Sequence, residues 1–396
     1  MTVLSFPRSL SRLVPHERSF TSRLRRPAVA SRVGLWLGVA FGVAFLTGLL
    51  SHFAQNPTGW LFWPTRPTWG YRVTQGLHVA AGTAAVPLLV VKLWTVYPRL
   101  FAANPLRPAK AAVLNVLERG SIALLVAAAI FELATGLSNA AQWYPWRFNF
   151  REAHFALAWI AIGSLLVHVA VKLPAIRRTL TTPIESDDLD REETASTSAG
   201  LTRRGLARMG FLAAGLAVLA SSGSTVPLLS RVSVFGVRSG NGPQGIPINR
   251  SASAAGVVPA ALDGGFRLTV VAATTTRVLS RDDLLALTQT TARLPIACVE
   301  GWSASGEWRG PTVRSLLELV GAPESSDVRV VSLETVGAYA VSELPARFAA
   351  DPMTLLAVEL DGEPLALDHG YPCRLIAPNR PGVLQTKWVT RLEVIT

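Results

Sequence analysis

Cys298 is one of only two cysteines in a chain of 396 residues, and it sits in Ile296-Ala297-Cys298-Val299-Glu300-Gly301-Trp302-Ser303. A free cysteine is commonly a small buried hydrophobe, which is one reading of this short β-like run. The other is a single soft thiolate ligand to a redox metal whose remaining ligands come from an organic cofactor. A cofactor bearing a phosphate needs cations and backbone donors around it. A compact downstream run offers them: Asp368-His369-Gly370-Tyr371-Pro372-Cys373-Arg374-Leu375, then Pro378-Asn379-Arg380-Pro381-Gly382 and Lys387-Trp388. The second cysteine, Cys373, reads as a strand core residue. Two cysteines so placed make no disulfide framework and no paired zinc or iron–sulfur motif, although a Cys298–Cys373 bridge is compatible with the count.

A second set of chemical residues lies upstream. Of six histidines, His52, His78, His154 and His168 fall in or beside long apolar segments. His78 opens the second segment and His154 the fourth. Both segments run in the same direction, so the two imidazoles share a depth and suit the two faces of one haem b iron. Gly76, Gly82 and Gly163 leave room for a flat macrocycle. His52 is the alternative outer ligand, while His168 lies about 21 Å below His154 at 1.5 Å per residue. The competing reading takes these histidines as polar residues of the interface. Ionisable groups inside a bilayer are, however, functional suspects by default. Glu132 either snorkels to the interface or exchanges protons with a quinol.

The elements that carry these residues are legible from charge and hydropathy. Hydrophobic residues make up 49% of the chain and charged ones 16%, and the apolar excess is concentrated in the first 230 residues. Net charge is +12, but the basic residues cluster beside apolar segments, which is cytoplasmic anchoring rather than nucleic-acid binding. A basic cytoplasmic N-terminus, residues 1–32 with Arg18, Arg23, Arg25, Arg26 and Arg32, leads into the uncharged stretch Val33–Leu50. That stretch has about the length a bilayer needs. A cleaved signal peptide is the alternative, but more spans follow and no small-residue cleavage site is evident. Further spans are expected at about 75–97, 111–137 and 153–173, giving a four-span membrane domain over 33–175. Its loops are basic on one side (Arg99, Arg107, Lys110; Lys172, Arg177, Arg178) and aromatic on the other (Trp60, Trp63, Trp69; Trp143, Tyr144, Trp146). The assignment is therefore self-consistent.

Residues 176–204 form an acidic cytoplasmic linker, with six acids against one Arg between Glu185 and Glu193, ending in Arg203-Arg204. A fifth span, 205–230, follows. It places residues 231–396 outside, where short β-branched runs (266–271, 328–332, 374–377, 391–395) alternate with Gly/Pro turns. Helical patterns at 280–287 and 312–320 interrupt them. The expected fold is multidomain: an all-α transmembrane four-helix bundle, a fifth span, then a β-rich α+β domain.

The C-terminal domain resembles the sulfite oxidase-type molybdopterin domain, over roughly 245–396. The motifs that carry the resemblance are Cys298-Val299-Glu300-Gly301-Trp302, Trp308 with Gly310, the helix at 313–319, and the His369-Gly370-Tyr371-Pro372 block with Arg374, Lys387 and Trp388. The resemblance implies a Mo-molybdopterin cofactor with Cys298 as catalytic molybdenum ligand. It further implies His369 and Arg374 on the pterin, Lys387 on its phosphate, and Asn249 and Arg250 in an early cofactor- or substrate-facing segment. Glu334, Tyr339 and Trp302 are candidates for the substrate pocket. It also gives Arg203-Arg204 a second meaning. A domain that acquires its cofactor in the cytoplasm crosses folded, through the twin-arginine translocase; ordinary positive-inside anchoring is the alternative. The layout is similar to five-span actinobacterial proteins whose last span is exported that way.

The expected function is a multi-pass bacterial cell-membrane oxidoreductase with its catalytic domain outside. It would transfer an oxygen atom to or from a small-molecule substrate, by reduction of an S- or N-oxide or by sulfite oxidation. Electrons would pass through a haem b at His78 and His154 to or from the quinone pool. The competing class is a membrane cytochrome b-like carrier whose outer domain is a non-catalytic binding or assembly module. Lipid is an expected partner and nucleic acid is not.

Overall fold

The computed structural model describes residues 19–57, 62–101, 108–186, 188, 200–236, 242–337 and 340–395. Arg18, Trp60, Arg107, Tyr339 and most of the acidic run 187–193 lie outside the described residues. Among the described residues five helices are long and apolar enough to cross a bilayer. They are α1 (Pro27–Gln55), α2 (Gly70–Val96), α3 (Ala109–Ala140), α4 (Phe150–Thr181) and α5 (Arg203–Ser221). α1, α3 and α4 overrun the stretches that mark them in sequence, because backbone hydrogen bonding continues into the interface, where charged side chains are solvated. α5 instead stops at Ser221, short of the expected end at 230, and gives way to short 3-10 turns. The chain is thus a multi-pass membrane protein by helix length and composition.

The chain divides into two compact units. The first comprises residues up to Phe45, Ala80–Ser138 and Tyr144–Leu219. Its core is made of small and branched residues, including Val29, Val33, Ala85, Leu88, Ala129, Ala207 and Ala214. Large apolar side chains such as Trp36, Leu124, Leu166 and Leu212 stay exposed around it. Small residues inside and large ones outside is the membrane arrangement, since close helix approach, not removal from water, drives the packing. Polar contacts tie the helix ends. Arg32 donates to the carbonyls of Thr179, Leu180 and Thr182, and Lys92 donates to that of Ala30. Lys172 pairs with Glu118.

The second unit comprises Leu46–Val79, Asn139–Trp143 and the residues from Ala220 on. It contains α6 (Val258–Leu262), β1 (Leu268–Val271), β2 (Thr276–Leu279), α7 (Arg281–Ala286), β3 (Thr290–Ala297), β4 (Ser303–Gly310), α8 (Val313–Glu318) and β5 (Asp327–Ser332). There follow β6 (Val341–Leu344), α9 (Ala346–Ala349), β7 (Leu355–Ala357), β8 (Glu359–Leu360), β9 (Glu363–Pro364), β10 (Arg374–Ile376) and β11 (Val389–Ile395). The sheets order as β2-β1-β11-β5-β6, β3-β4-β8-β9 and β10-β7. In the first sheet β1 runs parallel to β11, with Val270 opposite Leu392, and every other pair is antiparallel. This is the mixed, β-rich domain expected from sequence. Ser280 starts α7 with a capping box closed by Asp283, and Thr312 caps α8 through the Ser315 amide. Both caps satisfy amides that a helix start leaves orphaned.

Two departures are informative. Cys298 is not inside a strand: it follows β3 and opens a tight turn into β4. Cys373 likewise precedes β10 rather than lying within it. It is nonetheless fully buried, and its thiol donates to the Val389 carbonyl.

Candidate functional site

The Cys298 turn is built by its neighbours in the sheet. The Cys298 amide donates to the Trp302 carbonyl at 2.9 Å, and the Gly301 amide donates back to the Cys298 carbonyl at 3.0 Å. Gly301 has φ +93°, and a Cβ there would stand 3.1 Å from Val79 Cγ2 and 3.3 Å from Thr225 Oγ1. Only glycine serves a turn that is both left-handed and closely covered. The Trp302 indole donates to Glu300 at 3.0 Å, so the turn is braced from within as well.

Residues far away in sequence brace the same turn. Gln75 and Asn139 both donate to the Val299 carbonyl, at 3.2 and 2.8 Å. Gln142 donates to Glu300 at 2.8 Å, Arg72 reaches the hydroxyls of Ser303 and Ser305, and the Thr225 hydroxyl donates to the Gly301 carbonyl. None of these five is a site candidate from sequence. They come from the ends of α2 and α3 and the stretch after α5, and no local pattern marks them. Asn379, adopting φ +54°, anchors the preceding loop through four contacts: its amide to Thr68 O, its side chain to Tyr71 N and Pro64 O, and its carbonyl to the Trp63 indole.

Cys298 is 1% exposed and lines a cleft with Asn249, Arg250, Trp302, Glu334, His369, Arg374 and Lys387. All eight are residues singled out from sequence, and they converge from five separate stretches of chain. Burial pushes the Cys298 thiol up, and the Glu300 carboxylate adds to it. The thiol is therefore neutral unless a cation sits against it, which would reverse the balance. His369 donates from Nε2 to the Pro243 carbonyl; burial, with the Arg374 guanidinium beside it, holds it down to about 4. It is a neutral imidazole at physiological pH.

The cations of the cleft are held by carbonyls. Arg374 is buried, donates to His369 O at 3.1 Å and Gln385 O at 2.9 Å, and stacks 5.1 Å above the Trp308 ring. Its Nε is buried without a partner, and no described carboxylate pairs with it. Lys387 donates to Arg250 O and Asp368 O and lies 4.5 Å over Trp388. Burial first and Arg374 second lower Lys387 to about 7. Arg250, by contrast, is paired with Glu334 at 3.0 Å. A buried guanidinium without a counter-charge is costly, and an anionic ligand removes the cost.

Comparison with known proteins bears on the nature of that ligand. A family described as the oxidoreductase molybdopterin binding domain matches residues 255–396. The C-terminal region is a molybdopterin-binding oxidoreductase domain. The chain is similar to a putative protein-methionine-sulfoxide reductase subunit, YedZ1, of Azospira oryzae: 34% identity over 28% of this chain and 42% of that protein. It is also similar to the mitochondrial sulfite oxidase of Drosophila melanogaster, with 30% identity over 24% of this chain and 18% of that one. A sulfite oxidase of Arabidopsis thaliana matches at 33% identity over 24% and 29%. The chain thus spans less than half the length of each of these relatives. The cleft fits the molybdopterin: a soft single thiol, a buried arginine and a half-buried lysine held by carbonyls, and an orphaned guanidinium nitrogen suit an anionic organic ligand that brings its own metal. Cys298 is the one sulfur-bearing side chain among the described residues that line the cleft.

The upstream histidines stand in different surroundings. His78 meets the Thr47 hydroxyl through Nδ1 at 3.4 Å and packs closely on Gly48. His154 has Thr135 Oγ1 2.9 Å from Nδ1 and Glu132 Oε2 3.1 Å from Nε2. Glu132 is buried, and its other oxygen has no partner among the described residues. His52 packs edge-on to Phe53. Arg203, the first of the twin arginines, is 1% exposed and donates to Arg23 O and Ser186 O.

Proposed function

We propose that the chain is a membrane-anchored molybdenum oxidoreductase whose C-terminal domain works on the extracytoplasmic face, exchanging electrons with the quinone pool through a haem b. The observation that carries this reading is the convergence of Cys298 with His369, Arg374 and Lys387 in one cleft of a molybdopterin-binding domain. When bound, the cofactor supplies two-electron oxygen-atom transfer at molybdenum, directed to reduction of an S- or N-oxide or to sulfite oxidation. The chain's own residues hold and shield it. Cys298 is the thiolate ligand, fixed by the turn that Gln75, Asn139 and Gly301 brace. Arg374, His369 and Asn249 contact the pterin, and Lys387 binds its phosphate. Arg250 and Glu334, paired at the cleft wall, face the substrate. Metal analysis of protein purified from molybdate-replete cells tests the reading: about one molybdenum per chain supports it. Protein without molybdenum would leave the non-catalytic module as the better account.

Lys387 gives the cleft a pH signature. A phosphate favours the protonated amine, so binding raises a pKa that is about 7 in the empty cleft. Above about pH 7 binding therefore takes up one proton, and affinity falls by as much as about tenfold per pH unit until the bound-state pKa is reached. Molybdenum retention on dialysis should decline between pH 7 and pH 9. In Lys387→Met it should be weaker throughout and flat with pH; an identical slope in both proteins would exclude Lys387 as the phosphate ligand.

The haem is assigned to His78 and His154, with His52 as the alternative outer ligand. A ligating imidazole is oriented by a hydrogen bond from its other ring nitrogen, a place taken by the hydroxyl of Thr47 for His78 and of Thr135 for His154. His154 would hold the haem iron through Nε2, which faces the Glu132 carboxylate at 3.1 Å, and Glu132 would be the group placed to exchange protons with a quinol. Reduced native protein should show the α-band of a b haem, and His78→Ala and His154→Ala should each lose it. A band that survives His154→Ala but not His52→Ala would move the ligation outward. Export of the folded domain is assigned to Arg203-Arg204. A phosphatase fusion at residue 240 should lose activity in Arg203→Lys/Arg204→Lys while the fusion protein is still made.

A further inference from the structure

At the end of the first unit where α1 begins, α4 ends and α5 begins, a cleft of ≈ 390 Å³ is lined by Arg32, Arg204 and Arg208 with Pro183, Ile184, Ala207 and Phe211. The three arginines have no carboxylate opposite them in its lining. Arg32 is fixed by bonds to four main-chain carbonyls, which orient its guanidinium without cancelling its charge. Arg204 and Arg208 are exposed, four residues apart on α5, so like charges stack on one helix face and repel. Glu185 lies near but is committed elsewhere: one oxygen accepts from the Arg204 amide at 2.9 Å and the other stands 3.7 Å from Arg23. No described carboxylate pairs with the side chain of Arg204 or Arg208. One turn further along the same helices, Trp36 and Phe211 meet edge-to-face at 6.2 Å, and both are exposed. Four helical residues advance about 6 Å, the step from a headgroup plane to the aromatic level beneath it.

We infer that this cleft is a binding site for the phosphate headgroup of an anionic phospholipid, with the acyl chains running past Trp36 and Phe211. Positive-inside charge alone calls for basic residues at a helix end. It does not call for three arginines around one cleft that opens onto an aromatic pair, whereas a basic cleft between spans is the general form of an anionic lipid site. The site is separate from the molybdopterin cleft, and its occupation stabilises the docking of α5 against α1 and α4.

The full-length protein in nanodiscs tests this. Native mass spectrometry should show retained phosphatidylglycerol from mixed vesicles and little retained phosphatidylcholine. Arg208→Gln, which leaves the twin-arginine pair intact, should weaken phosphatidylglycerol retention about fivefold, and Arg208→Lys should restore most of it. Inorganic phosphate at millimolar concentration should not compete. Equal retention of both lipids by the native protein, or of phosphatidylglycerol by native and Arg208→Gln proteins, would overturn the proposal. Displacement of the lipid by inorganic phosphate alone would assign the cleft to a soluble anion instead.

Discussion

Cys298→Ser should lower molybdenum-dependent turnover by more than about a hundredfold, beyond the 10–100-fold that loss of an outer partner of a metal site typically costs. Serine is smaller, and its oxygen is harder and far less acidic than a thiol, so it does not provide the soft anionic ligand a single-donor site requires. The turn itself should survive. The hydrogen bonds that close it run through the Cys298 amide and carbonyl, which serine keeps, so the variant should be as monodisperse as the native protein. Cys373→Ser is the matched control: that side chain donates to the Val389 carbonyl and lies outside the cleft lining, and a serine keeps the bond. Turnover should be retained there. Molybdenum-dependent turnover in Cys298→Ser within tenfold of native would remove Cys298 from the metal.

Arg374→Met should cost little in the empty protein and much in the loaded one. In the empty cleft two opposing effects meet: the carbonyls of His369 and Gln385 lose their donors, while a buried guanidinium without a carboxylate partner is removed. Burial already presses that guanidinium below its ordinary value. With the cofactor present the balance is one-sided, because each charge-assisted hydrogen bond to an anion contributes about 1.5–3 kcal/mol. Molybdenum loading should fall by about 10–100-fold at limiting cofactor, with the thermal midpoint of cofactor-free protein unchanged within a few degrees. A variant that loads molybdenum normally would show that Arg374 serves the fold alone; one that fails to fold without cofactor would show that its two carbonyl bonds outweigh its buried charge.

The two clusters of chemistry differed in how far sequence could carry them. Cys298 with Gly301-Trp302, and the run from His369 to Lys387, are local motifs whose residue types are visible directly: a lone thiol, a glycine-enabled turn, a cluster of cations. The capped helices α7 and α8 were equally legible, since Ser280 with Asp283 and Thr312 carry their own start signals. The strands that flank Cys298 were not. β3 holds Arg293 and Pro295, and β4 begins Ser303-Ala304-Ser305-Gly306-Glu307, compositions with weak strand preference that form because they pair with each other along eight residues.

What the sequence determined alone was the number and character of the apolar spans, the β-rich nature of the last domain, and the identity of the thiol and cations. Length, charge placement and residue chemistry are local properties, readable one window at a time. Only the tertiary structure decided that Gln75 and Asn139 share the Val299 carbonyl, at sequence separations of 224 and 160 residues. It alone joined His154 to Glu132, buried Arg203, and left Arg374 without a counter-charge. Such pairings depend on which surfaces the folded chain brings within about 3 Å, the range at which a hydrogen bond forms, and no window of sequence contains both partners.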